Sequence, residues 1–132
     1  VGCAVMGVDD IVVGEVDEIE LSSGFFDFTE KYTLKTSAIY VPARIDKETA
    51  ERIKETARRL YRVLGCSGFA RIDMFPTPEK RVVFNEVNTI PGFTEHSRFP
   101  GMMKAAGISF AEVLDTIVTQ AIASAEVTKW LE

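Results

Sequence analysis

The chain has 132 residues, 20 acidic against 15 basic side chains, a net charge of −5 and a hydrophobic content of 46%. That length is one domain and that balance is enough for a packed core, while the acidic excess argues against a protein that grips nucleic acid by neutralising phosphates. No apolar run approaches the ~18 residues of a membrane span and no signal peptide opens the chain, so a soluble cytoplasmic protein with no membrane partner is expected.

Residues 1–6 are a short apolar run closed by Gly7, and Val8-Asp9-Asp10 supplies a turn. The chain starts without methionine, in what already looks like the middle of a strand, whereas termini are commonly polar and loosely ordered. A fragment of a longer protein is therefore expected. Residues 11–21 alternate imperfectly and predict one strand or two short ones, with the acids of this stretch, Asp17 among them, on a solvated face. Residues 22–38 break every period and hold Phe25, Phe26, Phe28, Lys31 and Tyr32. An irregular stretch of this length tends to be a lid or binding loop, although the phenylalanines would equally serve to bury it.

Residues 39–44 predict a strand with Pro42 near its end. Asp46 caps a helix running to about Leu64, where Gly65 stops it, with Ala50, Ile53, Ala57, Leu60 and Leu64 as its buried stripe. Its charged residues, Arg58 and Arg59 included, lie mostly off the stripe on the surface. Two strands follow, 67–75 and 81–88, joined by a polar turn. Pro100 suits the first position of a short helix ending near Gly107, and Ser109 with Glu112 forms a capping box for the last helix. That helix is expected to bury Phe110, Val113, Leu114, Ile117 and Ala121, with Trp130 near its end. The order of elements predicts α/β (α+β) layers with a largely antiparallel sheet packed against helices. Cys3 and Cys66 have no ligand-like spacing and are expected to be plain thiols.

The chemistry gathers between Arg71 and Pro100. Strand alternation puts Phe69, Arg71, Asp73 and Phe75 on one face, and sorts Phe84, Glu86 and Asn88 together on the second strand. If the two strands pair with these faces aligned, Asp73, Glu86 and Asn88 converge beside Arg71. Carboxylates facing one another repel unless a cation lies among them, and an all-oxygen set suits Mg²⁺ or Mn²⁺. The competing reading is an ion pair of Arg71 with Asp73 or Glu86. In the loop that follows, Pro91 and Gly92 let backbone N–H groups approach an anion, and Arg71 with the Gly92 amide can stabilise an oxyanion. His96, the one histidine, either braces this loop or acts in it. Ser97 and the helix N-terminus behind it can take a carboxylate. Arg98 is either a surface residue or part of that site.

Gly68-Phe69-Ala70-Arg71-Ile72-Asp73, Glu86-Val87-Asn88-Thr89-Ile90-Pro91-Gly92-Phe93-Thr94, His96-Ser97 and Pro100 resemble the C-terminal part of the D-alanine–D-alanine ligase family, which has the ATP-grasp fold. Phe25-Phe26-Asp27-Phe28 with Glu30-Lys31-Tyr32 resembles that family's ω-loop, and the similarity covers essentially residues 1–122. The resemblance implies a single C-terminal ATP-grasp portion over 1–132, with Val1 just after the glutamate that binds the ATP ribose. The substrate and nucleotide-gripping parts would then lie upstream, and the fragment alone would fold without turning over. It further implies that Asp73, Glu86 and Asn88 hold two Mg²⁺ ions on the ATP phosphates. Arg71 and the Gly92 amide would face the tetrahedral intermediate, Phe25 and Phe75 would flank the adenine, and Lys31 and Tyr32 would close over phosphate and substrates. Ser97, with the Arg98 amide, would take the carboxylate of the second amino acid.

Arg98 stands where that family usually has an aliphatic residue and Phe26 where it usually has tyrosine. With Asp17, these positions are most similar to the vancomycin-resistance D-alanine–D-serine ligases of VanG type. A guanidinium adds donors for a substrate hydroxyl. The retained Lys31-Tyr32 pair places D-lactate last, giving D-serine first and D-alanine second. The resemblance implies cell-wall precursor synthesis, small-molecule substrates only and a homodimeric full-length enzyme. Two other readings remain: a non-catalytic binding domain that kept the fold, and an ATP-grasp ligase for an unrelated amine.

Overall fold

The computed structural model of the chain describes residues 1–21 and 37–128. Its described elements are β1 (Gly2–Gly7), β2 (Val12–Leu21), β3 (Ser37–Tyr40), α1 (Lys47–Val63), β4 (Gly68–Pro76), β5 (Val82–Asn88), α2 (Arg98–Ala105) and α3 (Phe110–Thr128). The strands form one antiparallel sheet in the order β3-β2-β1-β4-β5. Strand β1 lies at its centre with every residue buried. A central strand covered on both faces is apolar on both, which is why residues 2–7 form a continuous run rather than an alternation.

Alternate residues of β1 serve two cores. Cys3 and Val5 join Val16, Ala70, Ile72 and Met74 against Ile53, Ala57 and Tyr61 of α1. Ala4 and Met6 face the other way, against Phe99, Met102 and Met103 of α2 and Val113 of α3. Helix α1 begins as the sequence predicts: the Asp46 carboxylate accepts the Thr49 N–H at 3.0 Å. Gly65, just past its end, takes a φ of 66°. The buried stripe is shifted, however. Thr49, Ile53, Ala57 and Tyr61 are buried, whereas Leu64 is exposed because the helix has already ended there. Tyr61 reaches β1, its hydroxyl donating to the Gly7 carbonyl at 2.8 Å.

Three further expectations are corrected. Strand β3 ends at Tyr40 rather than Arg44, since Pro42 has no N–H to extend the ladder. Helix α2 starts two residues earlier than Pro100, with Ser97 at its N-cap position; Pro100 is tolerated in the first turn, where an N–H would have no partner. On α3, Val113 is buried but Leu114 and Ala121 are exposed, because that helix rests on the sheet by a narrower stripe than its apolar content suggests. The capping box at its start is present: the Ser109 N–H donates to Glu112 at 2.7 Å and the Glu112 N–H to Ser109 at 3.2 Å. Trp130 lies outside the described residues, as does 22–36.

Candidate functional site

The β4–β5 register opposes Arg71 to Asn88 and Asp73 to Glu86. Directly opposed residues share a face, so these four side chains stand together on the α2 side of the sheet, beyond the end of the apolar core there. Past Asp73 the register slips by one residue: Met74 opposes Phe84 and Phe75 opposes Val83, leaving Asn85 as the extra residue of a bulge. The bulge reverses the expected sorting of β5. Phe84 shares the face of Met74, toward α1, and Val83 joins Phe75 on the site face. Phe75 and Val83 are both exposed there, an apolar pair next to the charges.

Asp73 is held by two guanidiniums. Arg71 donates through Nη2 to Oδ2 at 2.8 Å and through Nε to Oδ1 at 3.0 Å, and Arg98 Nη2 stands 3.5 Å from Oδ1. The ion pair left open as an alternative in the sequence is therefore made. Arg98 spans from the first turn of α2 to β2, where its Nε and Nη2 donate to the Asp17 carboxylate at 2.6 and 2.7 Å. Asp17 is 0% exposed, so the solvated face expected of it does not exist; it meets the site through Arg98 and through the Gly2 N–H at 2.9 Å. Burial works against the charge on Arg98. The hydrogen bonds and charge of Asp17, with Asp73 behind them, outweigh it and hold the guanidinium above its ordinary pKa.

The loop after β5 is anchored by Phe93, whose ring packs 5.1 Å from Phe69, 5.6 Å from Phe99 and 5.7 Å from Phe110. Gly92 is exposed and leaves room for Ser97: a Cβ there would lie 3.1 Å from the Ser97 Oγ. Ser97 makes no cap bond to α2; its hydroxyl instead accepts the Thr94 N–H at 3.0 Å and pairs with the Thr94 hydroxyl at 2.8 Å. His96 is exposed on this loop. Asn88 Oδ1 accepts the Ile90 N–H at 3.1 Å, which ties the amide to the start of the loop. Phe25, Phe26, Lys31 and Tyr32 lie outside the described residues.

No three His, Cys, Asp or Glu side chains gather among the described residues, so a cation here must also use the Asn88 amide. The donor set fits a hard divalent ion: two opposed carboxylates and an amide oxygen, with no sulfur or imidazole. With Asp17 and Arg98 included, three carboxylates face two guanidiniums, a net negative charge for that ion. A cation on Asp73 competes with Arg71 for the same oxygens, and a carboxylate with about four lone-pair sites can serve both. Alternation alone anticipated this cluster. The β5 bulge, Gly2 and the Arg98–Asp17 bond carried no local signal.

Residues 1–119 match the family described as D-ala D-ala ligase C-terminus. The vancomycin B-type resistance protein VanB of Enterococcus faecalis is 49% identical over 127 residues, covering 92% of the chain and 37% of that protein. A D-alanine–D-alanine ligase of Chlorobium phaeovibrioides is 43% identical, covering 90% of the chain and 33% of that protein. The crystal structure of VanG D-Ala:D-Ser ligase from Enterococcus faecalis superposes with a TM-score of 0.81 at 65% identity, covering 90% of the chain and 35% of that one. The chain thus spans about a third of the length of these relatives.

Proposed function

The chain belongs to the D-Ala–D-Ala ligase C-terminus family, and from that premise we propose that it forms one wall of the active site in an ATP-dependent ligase joining D-alanine to D-serine. Its fold is that of the C-terminal part of an ATP-grasp ligase. The observation that carries the reading is the β4–β5 register, which stands Asp73, Glu86 and Asn88 on one face beside Arg71.

In this reading Asp73, Glu86 and Asn88 hold Mg²⁺, which when bound neutralises the ATP phosphates. The first D-alanine carboxylate takes the γ-phosphoryl group and ADP leaves. The amine of the second amino acid attacks the resulting acyl phosphate, and phosphate departs as the amide bond forms. Arg71 and the Gly92 N–H stabilise the oxyanion of that step. Phe25 and Phe75 flank the adenine, and Lys31 and Tyr32 close over the phosphate. Ser97 and the Arg98 N–H take the second carboxylate. Arg98 meets the serine hydroxyl through its Nη1 hydrogens, which have no partner among the described residues, while Asp17 fixes the guanidinium and Phe26 lines the same pocket. ATP as substrate places the reaction in the cytoplasm, in cell-wall precursor synthesis, and the whole enzyme is read as a homodimer.

The test is product analysis of the whole ligase, offered D-alanine with D-serine, D-alanine or D-lactate and Mg·ATP. D-alanyl-D-serine is expected to dominate, and Arg98→Leu to shift preference toward D-alanine by about tenfold or more. Equal use of D-serine and D-alanine by the wild type contradicts the role of Arg98 and leaves a D-alanine–D-alanine ligase. No Mg·ATP-dependent condensation at all contradicts the ligase reading and favours a binding domain.

A further inference from the structure

Gly2 sits in the central strand with Asp17 directly opposite on β2 and Asp73 directly opposite on β4. Its φ lies outside the left-handed region, so the backbone there accepts any residue. Space is what excludes a side chain. A Cβ on Gly2 lands on Arg98 Nη2 and comes within 2.7 Å of Asp17 Oδ1 and 2.8 Å of Asp73 Oδ1. Ordinary carbon contacts begin at about 3.5 Å. None of the three neighbours retreats cheaply. Arg98 is held at both ends of a bidentate pair, Asp17 is fully buried, and Asp73 is pinned by Arg71. The guanidinium therefore occupies the volume a side chain at position 2 would need.

Gly14 supplies the matching approach. A Cβ there would lie 3.1 Å from the backbone carbon and oxygen of Met102 and 3.3 Å from the Ala4 Cβ. Its absence lets α2 settle close on β1 and β2, which brings residue 98 over residue 2. Gly14 and Ala4 thus let the backbone of α2 come close to the sheet, and Gly2 leaves the space that the Arg98 head group fills.

We propose that Gly2 is a positioning residue for the second-substrate site: its missing side chain is the seat of the Arg98 guanidinium, whose Nη2 stands 3.5 Å from Asp73. The proposal rests on the reading of Arg98 and Asp73 given above. With Nε and Nη2 spent on the two carboxylates, only Nη1 remains to meet a substrate, so the seat sets which donors face the pocket. Any side chain at position 2 lifts Arg98 away and takes its preference with it.

Replacing a strand glycine by alanine ordinarily stabilises, by restricting the unfolded chain. Here the sign reverses, and the reversal depends on the ion pair. The test compares Gly2→Ala in two backgrounds of the whole ligase: the native one, and Asp17→Ala/Arg98→Leu, which removes both partners of the pair together. Gly2→Ala is expected to lower the melting temperature in the native background and to lower it clearly less in the paired variant, where only the contact with Asp73 remains. Equal losses in both backgrounds overturn the proposal. If Gly2→Ala alone does not fold, the triple variant decides: it is expected to fold once Asp17 and Arg98 no longer fill the space, and failure to do so overturns the seat. Kinetics separate this from the premise. Gly2→Ala is expected to raise KM for D-serine about tenfold, as Arg98→Leu does, with the two changes together no worse than either. A Gly2→Ala enzyme with wild-type melting and wild-type KM for D-serine overturns the proposal. If Arg98→Leu keeps the wild-type substrate preference, the premise about Arg98 falls while the melting comparison still decides on the seat.

Discussion

The two faces of the central sheet come from the same strands but differ in what they tolerate. Toward α1 the buried face is an apolar core, with Cys3, Val5, Ile72 and Met74 meeting Ile53, Ala57 and Tyr61. Toward α2 and α3 it changes along β1. Met6 opposes Phe69 in an apolar core, Ala4 opposes Arg71 at its edge, and Gly2 opposes Asp73 where the charges begin. One face holds the fold together, and the other gives up packing at one end to hold a cluster of charges. The strand is shared, so the polar end inherits the rigidity of the apolar face behind it.

That contrast breaks most sharply at Asp17. Asp17→Ala alone leaves Arg98 buried without its bidentate partner and is expected to cost about 3–5 kcal/mol, while Asp17→Ala/Arg98→Leu recovers much of the loss. Chemical unfolding of the two variants checks it; equal losses would mean the pair is not the unit. On the opposite face, Ile53→Ala is expected to cost about 2–5 kcal/mol by opening a cavity against α1. The same variant should keep the wild-type ratio of D-serine to D-alanine use at temperatures where it is folded. A shift in that ratio would show that the faces are not separable.

The smallest effect lies away from both faces, at the start of α3. Hydrogen bonds from the Ser109 hydroxyl and then its backbone N–H hold the Glu112 carboxyl below its ordinary value. A depressed carboxylate contributes stability that is present above the unfolded pKa and lost as pH falls through the folded one. The gap in urea resistance between wild type and Glu112→Gln should therefore shrink on the acid side of about pH 4.3 and be steady above it. A gap that grows on acidification would contradict the cap.

Much of this was legible in the sequence, and what was not has a common cause. Asp46 and Gly65 mark the ends of α1 because capping chemistry is local. Parity along 71–73 and 86–88 placed Asp73, Glu86 and Asn88 on one face because alternation needs no knowledge of the partner strand. The bulge at Asn85 defeated the same rule two residues further on, since an extra residue leaves no mark in the pattern. Leu114 misled because apolar periodicity states which face is greasy but not how far a neighbour covers it, and Leu64 because the pattern runs one residue past the end of the helix. The Arg98–Asp17 bond joins residues far apart in sequence, and Asp17 was expected on a solvated face by the very alternation that served elsewhere. Gly2 lies inside an apolar run, where nothing local marks the space it leaves for Arg98.

The central claim is that the polar end of the α2-side face carries the ATP chemistry. Phosphate release from Mg·ATP by the whole ligase, with D-alanine and D-serine present, tests it most directly when wild type is compared with Asp73→Asn and Glu86→Gln. The account expects both variants to lose turnover by about 100-fold or more while melting as folded proteins. Wild-type rates of phosphate release in folded Asp73→Asn and Glu86→Gln enzymes would contradict it.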